Sequence, residues 1–222
     1  MSKLPIESQF FDLSDYGRPL AKKIVKLLLP TCIGSITLTW VFTIIGISSA
    51  FLIYHRKWLI FASILLIIKS VIDAADGEMA RTRNRPSYTG RYLDSINDFI
   101  INGFILFAIG VPLNISIGII LIVWLFFQLH GTIFNFYYLI RRHNDKGDTT
   151  SRINELSPPN PYEYENAKVV RILHLIYLFL YAWQDKLINV IDSLVITHKK
   201  QRISDKFMTA VSFFGLGTQL MI

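Results

Sequence analysis

The sequence predicts an all-α fold, a polytopic bundle of about six transmembrane helices with an amphipathic helix lying in the membrane interface at its N-terminus. Three observations carry this. The 222 residues are 52% hydrophobic and 14% aromatic but only 18% charged, whereas a soluble domain carries about 25% charged residues and needs them to cover its surface. Asp, Glu, Lys and Arg are absent from residues 27–54, a run of 28, and from 99–140, a run of 42. A helix needs about 20 apolar residues to cross the hydrocarbon core, so the first run supplies one span, and the second, divided by Pro112-Leu113-Asn114, supplies two. The lone cysteine, Cys32, rules out a disulfide framework or a Cys-rich metal centre.

The elements follow in order within one membrane-embedded domain, 1–222. Residues 1–30 form the interfacial segment: over 19–29, Lys22, Lys23 and Lys26 share one helix face and Leu20, Ile24, Leu27 and Leu28 another, a pattern that lies flat on lipid. No apolar stretch precedes it, so no cleavable leader is expected. Four spans fill 34–140: 34–54, then the turn His55-Arg56-Lys57, 58–76, an Arg-rich loop, 91–111 and 115–140. Residues 141–167 form a cytoplasmic loop, in which the charged stretch 144–165 with Pro158, Pro159 and Pro161 is the segment expected to be most flexible. Over 168–222 the helices are harder to place. The apolar stretch 172–183 is only 12 residues long and Gln184-Asp185-Lys186 interrupts it, which favours a helix lying along the membrane over a crossing. The last apolar stretch, 207–222, is either a short helix or part of a bundle cut at its C-terminus.

Basic residues set the orientation. The N-terminal segment carries Lys3, Arg18, Lys22, Lys23 and Lys26, the loop after span two Arg81, Arg83, Arg85 and Arg91, and the loop after span four Arg141, Arg142, Lys146 and Arg152, while the opposite turns hold Arg56 and Lys57. The positive-inside rule puts the Arg81 loop in the cytoplasm. Lys199, Lys200, Arg202 and Lys206 favour the same side. The net charge of +7 is then attraction to anionic lipid, not to nucleic acid.

Four carboxylates stand where carboxylates are expensive. Asp73, Asp76, Asp94 and Asp98 sit at the cytoplasmic ends of spans two and three, and ionisable groups beside apolar runs mark function by default. Asp73 and Asp76 are three apart and Asp94 and Asp98 four apart, so each pair shares a helix face, and an antiparallel hairpin can aim all four at one volume. Such charges repel unless cations or protons join them. Oxygen-only ligation suits Mg²⁺ or Mn²⁺, and four carboxylates are enough for two ions in a phosphoryl transfer. Arg81 offers the planar fork that matches phosphate, and Gly77, Ala80 and Gly90 are small enough for a bulky ligand to approach.

Asp73-Ala-Ala-Asp76-Gly77-Glu-Met-Ala80-Arg81, eight residues, then Gly90-Arg-Tyr-Leu-Asp94-Ser-Ile-Asn-Asp98 resembles the signature of the CDP-alcohol phosphotransferases, D-x-x-D-G-x-x-A-R-x₈-G-x₃-D-x₃-D, at every specified position. The resemblance implies an integral membrane enzyme of phospholipid biosynthesis that moves a substituted phosphate from a CDP-alcohol to an acceptor alcohol and releases CMP. It further implies that Asp73, Asp76, Asp94 and Asp98 hold metal and that Asp98 is the base for the acceptor hydroxyl. Asp73, Gly77, Ala80, Arg81 and Gly90 would then line the nucleotide and diphosphate pocket. Many members carry a Pro-Asn pair before a Leu-Thr at the start of span one. Here Leu38-Thr39 follow Ser35 and Ile36, so Thr37 or Thr39 is expected to replace the Asn as a nucleotide contact. A homodimer is plausible by the same resemblance.

Blander roles accompany the sharp ones. Lys69 reads as a charge-balancing partner of Asp73 one turn away. Gln128, His130 and Asn135 read as interhelical hydrogen-bonding groups, Arg141 and Arg142 as positive-inside residues or as an anion site, and Gly215 and Gly217 as close-packing positions. Two other functions compete. A divalent-cation transporter predicts midplane carboxylates and an internal repeat, and an Asp-rich prenyltransferase predicts two clusters far apart; this chain has one compact cluster at helix ends. The donor can be CDP-diacylglycerol or a CDP-linked polar alcohol, with at least one substrate a lipid.

Overall fold

The computed structural model describes residues 4–147, 151, 155–195 and 203–220. Among them are eight α-helices and no strand: α1 (Arg18–Leu28), α2 (Ser35–Tyr54), α3 (Leu59–Thr82), α4 (Tyr88–Gly110), α5 (Ile117–Asn144), α6 (Ala167–Val195), α7 (Asp205–Val211) and α8 (Leu216–Gln219). Lys3, Arg152, Lys199, Lys200 and Arg202, used above to orient the chain, lie outside the described residues.

Among the described residues three helices are long and apolar enough to cross a membrane: α2, α4 with the 3₁₀ turn that follows it, and α5. The expected second span, α3, is 24 residues long and runs six residues past Asp76, because its polar C-terminal turns bury Asp76 and Glu78 within the protein. Exposed side chains on these helices are large and apolar, among them Ile44, Ile60, Ile64, Ile119 and Phe126. Such faces suit lipid, which rewards apolar surface on the outside of a bundle as much as inside it. The buried seams use small residues. Ser49 Oγ donates to the Ala62 carbonyl at 2.8 Å, and a Cβ on Gly46 would lie 2.8 Å from the Ile101 side chain, which is why α2 approaches α4 so closely there.

Helix α1 packs on α3 through Ala21, Val25, Ala75 and Met79, joined by Leu38 of α2. Its C-terminal end is fixed by Arg83, whose Nη2 donates to the Thr31 carbonyl at 2.7 Å and the Leu29 carbonyl at 3.2 Å. Phe42 and Ala50 of α2 meet Ile101, Ile105 and Ala108 of α4 in a second cluster.

Helix α6 departs from expectation. It is one helix of 29 residues running through Gln184-Asp185-Lys186 without a break. The polar triplet does not end it because Gln184 is fully buried and accepts from Thr132 Oγ1 of α5 at 2.7 Å, so its amide is satisfied inside the bundle. Val170, Leu173, Tyr177 and Leu180 pack on Tyr88, Tyr92 and Ile96, Tyr181 hydroxyl donates to the Ser95 carbonyl at 2.9 Å, and Asp192 accepts from Tyr137 at 3.0 Å. The named contacts fall on the first half of α4, which carries Asp94 and Asp98, and on the second half of α5.

The second half of the Pro-rich loop is strapped down. Glu165 accepts from Ser87 Oγ and Thr89 N at 2.8 Å each, and Glu155 pairs with Arg91 at 2.6 Å. These contacts tie the second half of the loop to the start of α4; Thr149 and Thr150 lie outside the described residues. The final apolar stretch is broken at residues 212–215 into α7, a 3₁₀ turn and α8.

Candidate active site

The polar ends of α3 and α4 owe their shape to capping. Ser87 starts α4 by accepting from Gly90 N at 2.9 Å, which aims the face carrying Asp94 and Asp98 back at α3. Carboxylate oxygens of Asp73, Asp76 and Asp94 thus lie within 4.8 Å of one another. They border a cavity of about 320 Å³ together with Asp98, Gly77 and Arg81. All four motif aspartates reach one volume, as the spacing predicts, but they are not equivalent.

Asp76 is oriented by Thr39, whose Oγ1 donates to its Oδ2 at 2.8 Å. Asp94 Oδ1 is buried without a hydrogen-bond partner. Asp98 stands outside the close triad, and its Oδ1 accepts a hydrogen bond from Lys69 Nζ. The same ammonium donates to Asp73 Oδ2 at 3.2 Å, its side chain is 0% exposed, and it lies 4.8 Å above the Phe42 ring. One cation thus bridges the two aspartate pairs. The expected Lys69–Asp73 partnership is present, whereas the second link, to Asp98, needed the α3–α4 packing to bring residues 29 apart into contact.

A divalent cation fits this triad. Three oxygen-bearing acids converge, and one buried carboxylate oxygen is left without a donor, a cost of roughly 1–3 kcal/mol that a cation would remove. The oxygen-only donor set is that of hard ions. Asp73, Asp76 and Asp94 can therefore hold a metal.

The remaining sequence candidates divide. Arg81 lines the cavity, donates to Glu78 at 3.1 Å and packs over Gly77, where a Cβ would lie 3.2 Å from its Nη1. Ala80 and Gly90 are not among the lining residues; Gly90 serves the cap of α4. Thr39 is buried behind Asp76 and Thr37 is exposed, and neither lines the cavity. Asn135 does, while Gln128 Nε2 donates to the Phe99 carbonyl at 3.4 Å and His130 stacks on Phe214.

Arg141 is consumed structurally. It is 1% exposed, pairs with Asp145 at 2.5 Å and Asp205 at 2.6 Å and donates to the Ile203 carbonyl, which fixes α7 to α5. Gly215 and Gly217 are close-packing positions, as expected: a Cβ on Gly217 would stand 1.9 Å from the Ser14 carbonyl oxygen.

Sequence reasoning missed the far walls of the cavity. Asp12, Ser14, Asp15 and Arg18 come from the N-terminal segment, Tyr177, Tyr181 and Asp185 from α6, and Leu216 and Gly217 from the C-terminal turn. The sequence signal that could have pointed to the α6 wall is the four-residue spacing of Tyr177 and Tyr181, which puts both on one helix face.

The description of the CDP-alcohol phosphatidyltransferases matches residues 27–221. A bifunctional IPC transferase and DIPP synthase of Aquifex aeolicus (strain VF5) is 31% identical over 120 residues, 53% of this chain and 27% of that protein, so the chain covers about a quarter of that relative's length. The match decides against the transporter and prenyltransferase alternatives. With its apolar helices and its aspartate-lined cavity, the chain belongs to the CDP-alcohol phosphatidyltransferase family, membrane-embedded enzymes that pass a phosphate-linked group from a CDP-alcohol to an alcohol.

Proposed function

We propose that this chain transfers a substituted phosphate from a CDP-alcohol, with CDP-diacylglycerol or a CDP-linked polar alcohol as donor, to an acceptor alcohol in phospholipid biosynthesis. The convergence of Asp73, Asp76 and Asp94 with Asp94 Oδ1 left bare carries this reading, and the family match and the transferase relative support it. The acceptor oxygen attacks the phosphorus that bears the donated alcohol. The bond from that phosphorus to the oxygen of CMP breaks, and CMP leaves with the electron pair. Asp98, 18% exposed and bordering the cavity, takes the hydroxyl proton, and Lys69 holds its carboxylate in place. Arg81 lies along the diphosphate where Gly77 leaves room. Two Mg²⁺ or Mn²⁺ ions held by Asp73, Asp76, Asp94 and Asp98 supply, when bound, the positive charge that makes CMP a good leaving group. The Arg-rich loop supports a cytoplasmic site for this chemistry by the positive-inside rule.

The test is CMP release by purified protein in Mg²⁺, with CDP-diacylglycerol, CDP-choline and CDP-ethanolamine offered separately with polar and lipid alcohols. Release with one donor, lost in EDTA and restored by Mg²⁺ or Mn²⁺, is expected. Release that persists in EDTA would refute the metal assignment, and no release with any donor would refute the donor class.

A further inference from the structure

We infer that Arg18, outside both the aspartate signature and the family-matched residues, is a second phosphate-binding arginine of this cavity, acting with Arg81 on the donor's diphosphate. The inference rests on the proposed reaction and deepens it.

Charge in the cavity makes the case. Beyond the four motif aspartates its lining adds Asp12, Asp15 and Asp185, and its Lys and Arg side chains among the described residues are Arg18 and Arg81. A diphosphate entering such a space meets net negative charge. Metal on the triad and the Lys69 ammonium on Asp73 and Asp98 offset part of it, and the two guanidinium groups add the positive charge of the lining itself. They come from different helices yet converge on one atom: Arg81 Nη2 lies 3.1 Å and Arg18 Nη1 3.7 Å from Glu78 Oε2. Glu78 does not line the cavity, whereas both arginines do. Its carboxylate therefore holds the two planar groups from behind while they border the space a phosphate would fill, an arrangement suited to recognition by paired forks.

Arg18 is placed rigidly. Asp15 accepts from its Nε, and its side chain is 20% exposed. Helix α1 begins in tight contact with α3, where a Cβ on Gly17 would lie 3.3 Å from Val71 Cα, and its buried Ala21 and Val25 lock the register. Glu78 occupies one of the unspecified positions of the signature, so the pairing does not follow from the motif itself. The N-terminal helix thereby contributes to substrate binding as well as to the membrane interface.

The experiment is calorimetric titration of the purified full chain, in Mg²⁺, with CDP and separately with cytidine, for wild type, Arg18→Gln, Arg18→Lys and Arg83→Gln. Arg18→Gln should weaken CDP binding about 10-fold or more, the effect of losing a charge-assisted hydrogen bond, and leave cytidine within about twofold. Arg18→Lys, which keeps the charge without the fork, should recover part of the loss. Arg83→Gln loosens the end of α1 without touching the cavity and should leave CDP affinity within about twofold. Unchanged CDP affinity in Arg18→Gln overturns the inference alone. An equal loss in Arg83→Gln also overturns it, in favour of a purely structural Arg18. Failure of wild type to bind CDP overturns the proposed reaction together with this inference.

Discussion

Replacing Lys69 with Met removes the one ammonium that bridges the two aspartate pairs and keeps the side chain's length. Lys69 is 0% exposed, while its partners Asp73 and Asp98 are 22% and 18% exposed. Breaking a buried ion pair from one side costs roughly 3–5 kcal/mol because the other charge stays behind. Here the partners retain some water, which places the cost near the lower end, about 3 kcal/mol. For a chain of this size 1 kcal/mol moves the midpoint by about 2–4 °C, so Lys69→Met should melt roughly 6–12 °C below wild type in EDTA. Two controls tie the loss to charge and not to packing. Lys69→Met/Asp98→Asn, which also neutralises one stranded carboxylate, should regain about 1 kcal/mol or more, a coupling typical of residues in contact. Mg²⁺ should raise the melting temperature of Lys69→Met more than that of wild type, because the stranded carboxylates become cation ligands and bound cation adds stability by mass action. The assay is thermal unfolding in detergent at one scan rate. A Lys69→Met midpoint within about 2 °C of wild type in EDTA, or a double variant no more stable than the single one, would refute the bridging role.

Three further outcomes follow from named contacts. Asp98→Asn keeps the shape of the side chain but not its basicity, so turnover should fall by about 100-fold or more while CDP binding and the fold persist; full turnover would remove Asp98 as the base. Gly217→Ala drives a Cβ to within 1.9 Å of the Ser14 carbonyl oxygen, a backbone clash costing about 1–3 kcal/mol, and hydrogen exchange should rise at residues 12–15 and 212–218 together. Equal protection in mutant and wild type would show that these segments do not depend on each other. Glu165→Ala deletes acceptors for Ser87 Oγ and Thr89 N, and should cost about 1–2 kcal/mol by the measure of a lost helix cap, with faster exchange at the Thr89 amide. No change there would mean that the loop does not hold the start of α4.

Much of this protein is legible along one dimension because the bilayer imposes simple rules. Charge-free runs of 28 and 42 residues locate the apolar lengths of α2, α4 and α5, since no charged side chain is tolerated on a lipid-facing helix without cost, although α4 begins at Tyr88, 11 residues before the second run. The aspartate spacing gives the convergence of Asp73, Asp76 and Asp94 for a similar reason: helical periodicity fixes which side chains share a face before any partner is known. The same logic misjudges α6. A local window sees Gln184-Asp185-Lys186 as a break, but Gln184 is satisfied by Thr132, 52 residues away.

The sequence by itself determined the membrane bundle, the motif and the chemistry that the motif's oxygen donors permit, because those depend on composition and on spacing within single helices. Tertiary structure alone decided which aspartate is bare, which is tied to Lys69, and that the N-terminal segment, α6 and the C-terminal turn line the cavity. Those facts arise between elements far apart in the chain. Arg18 and Arg81 meet at Glu78 only because α1 packs against α3, and no periodicity in the sequence encodes a meeting that exists only once two helices have found each other.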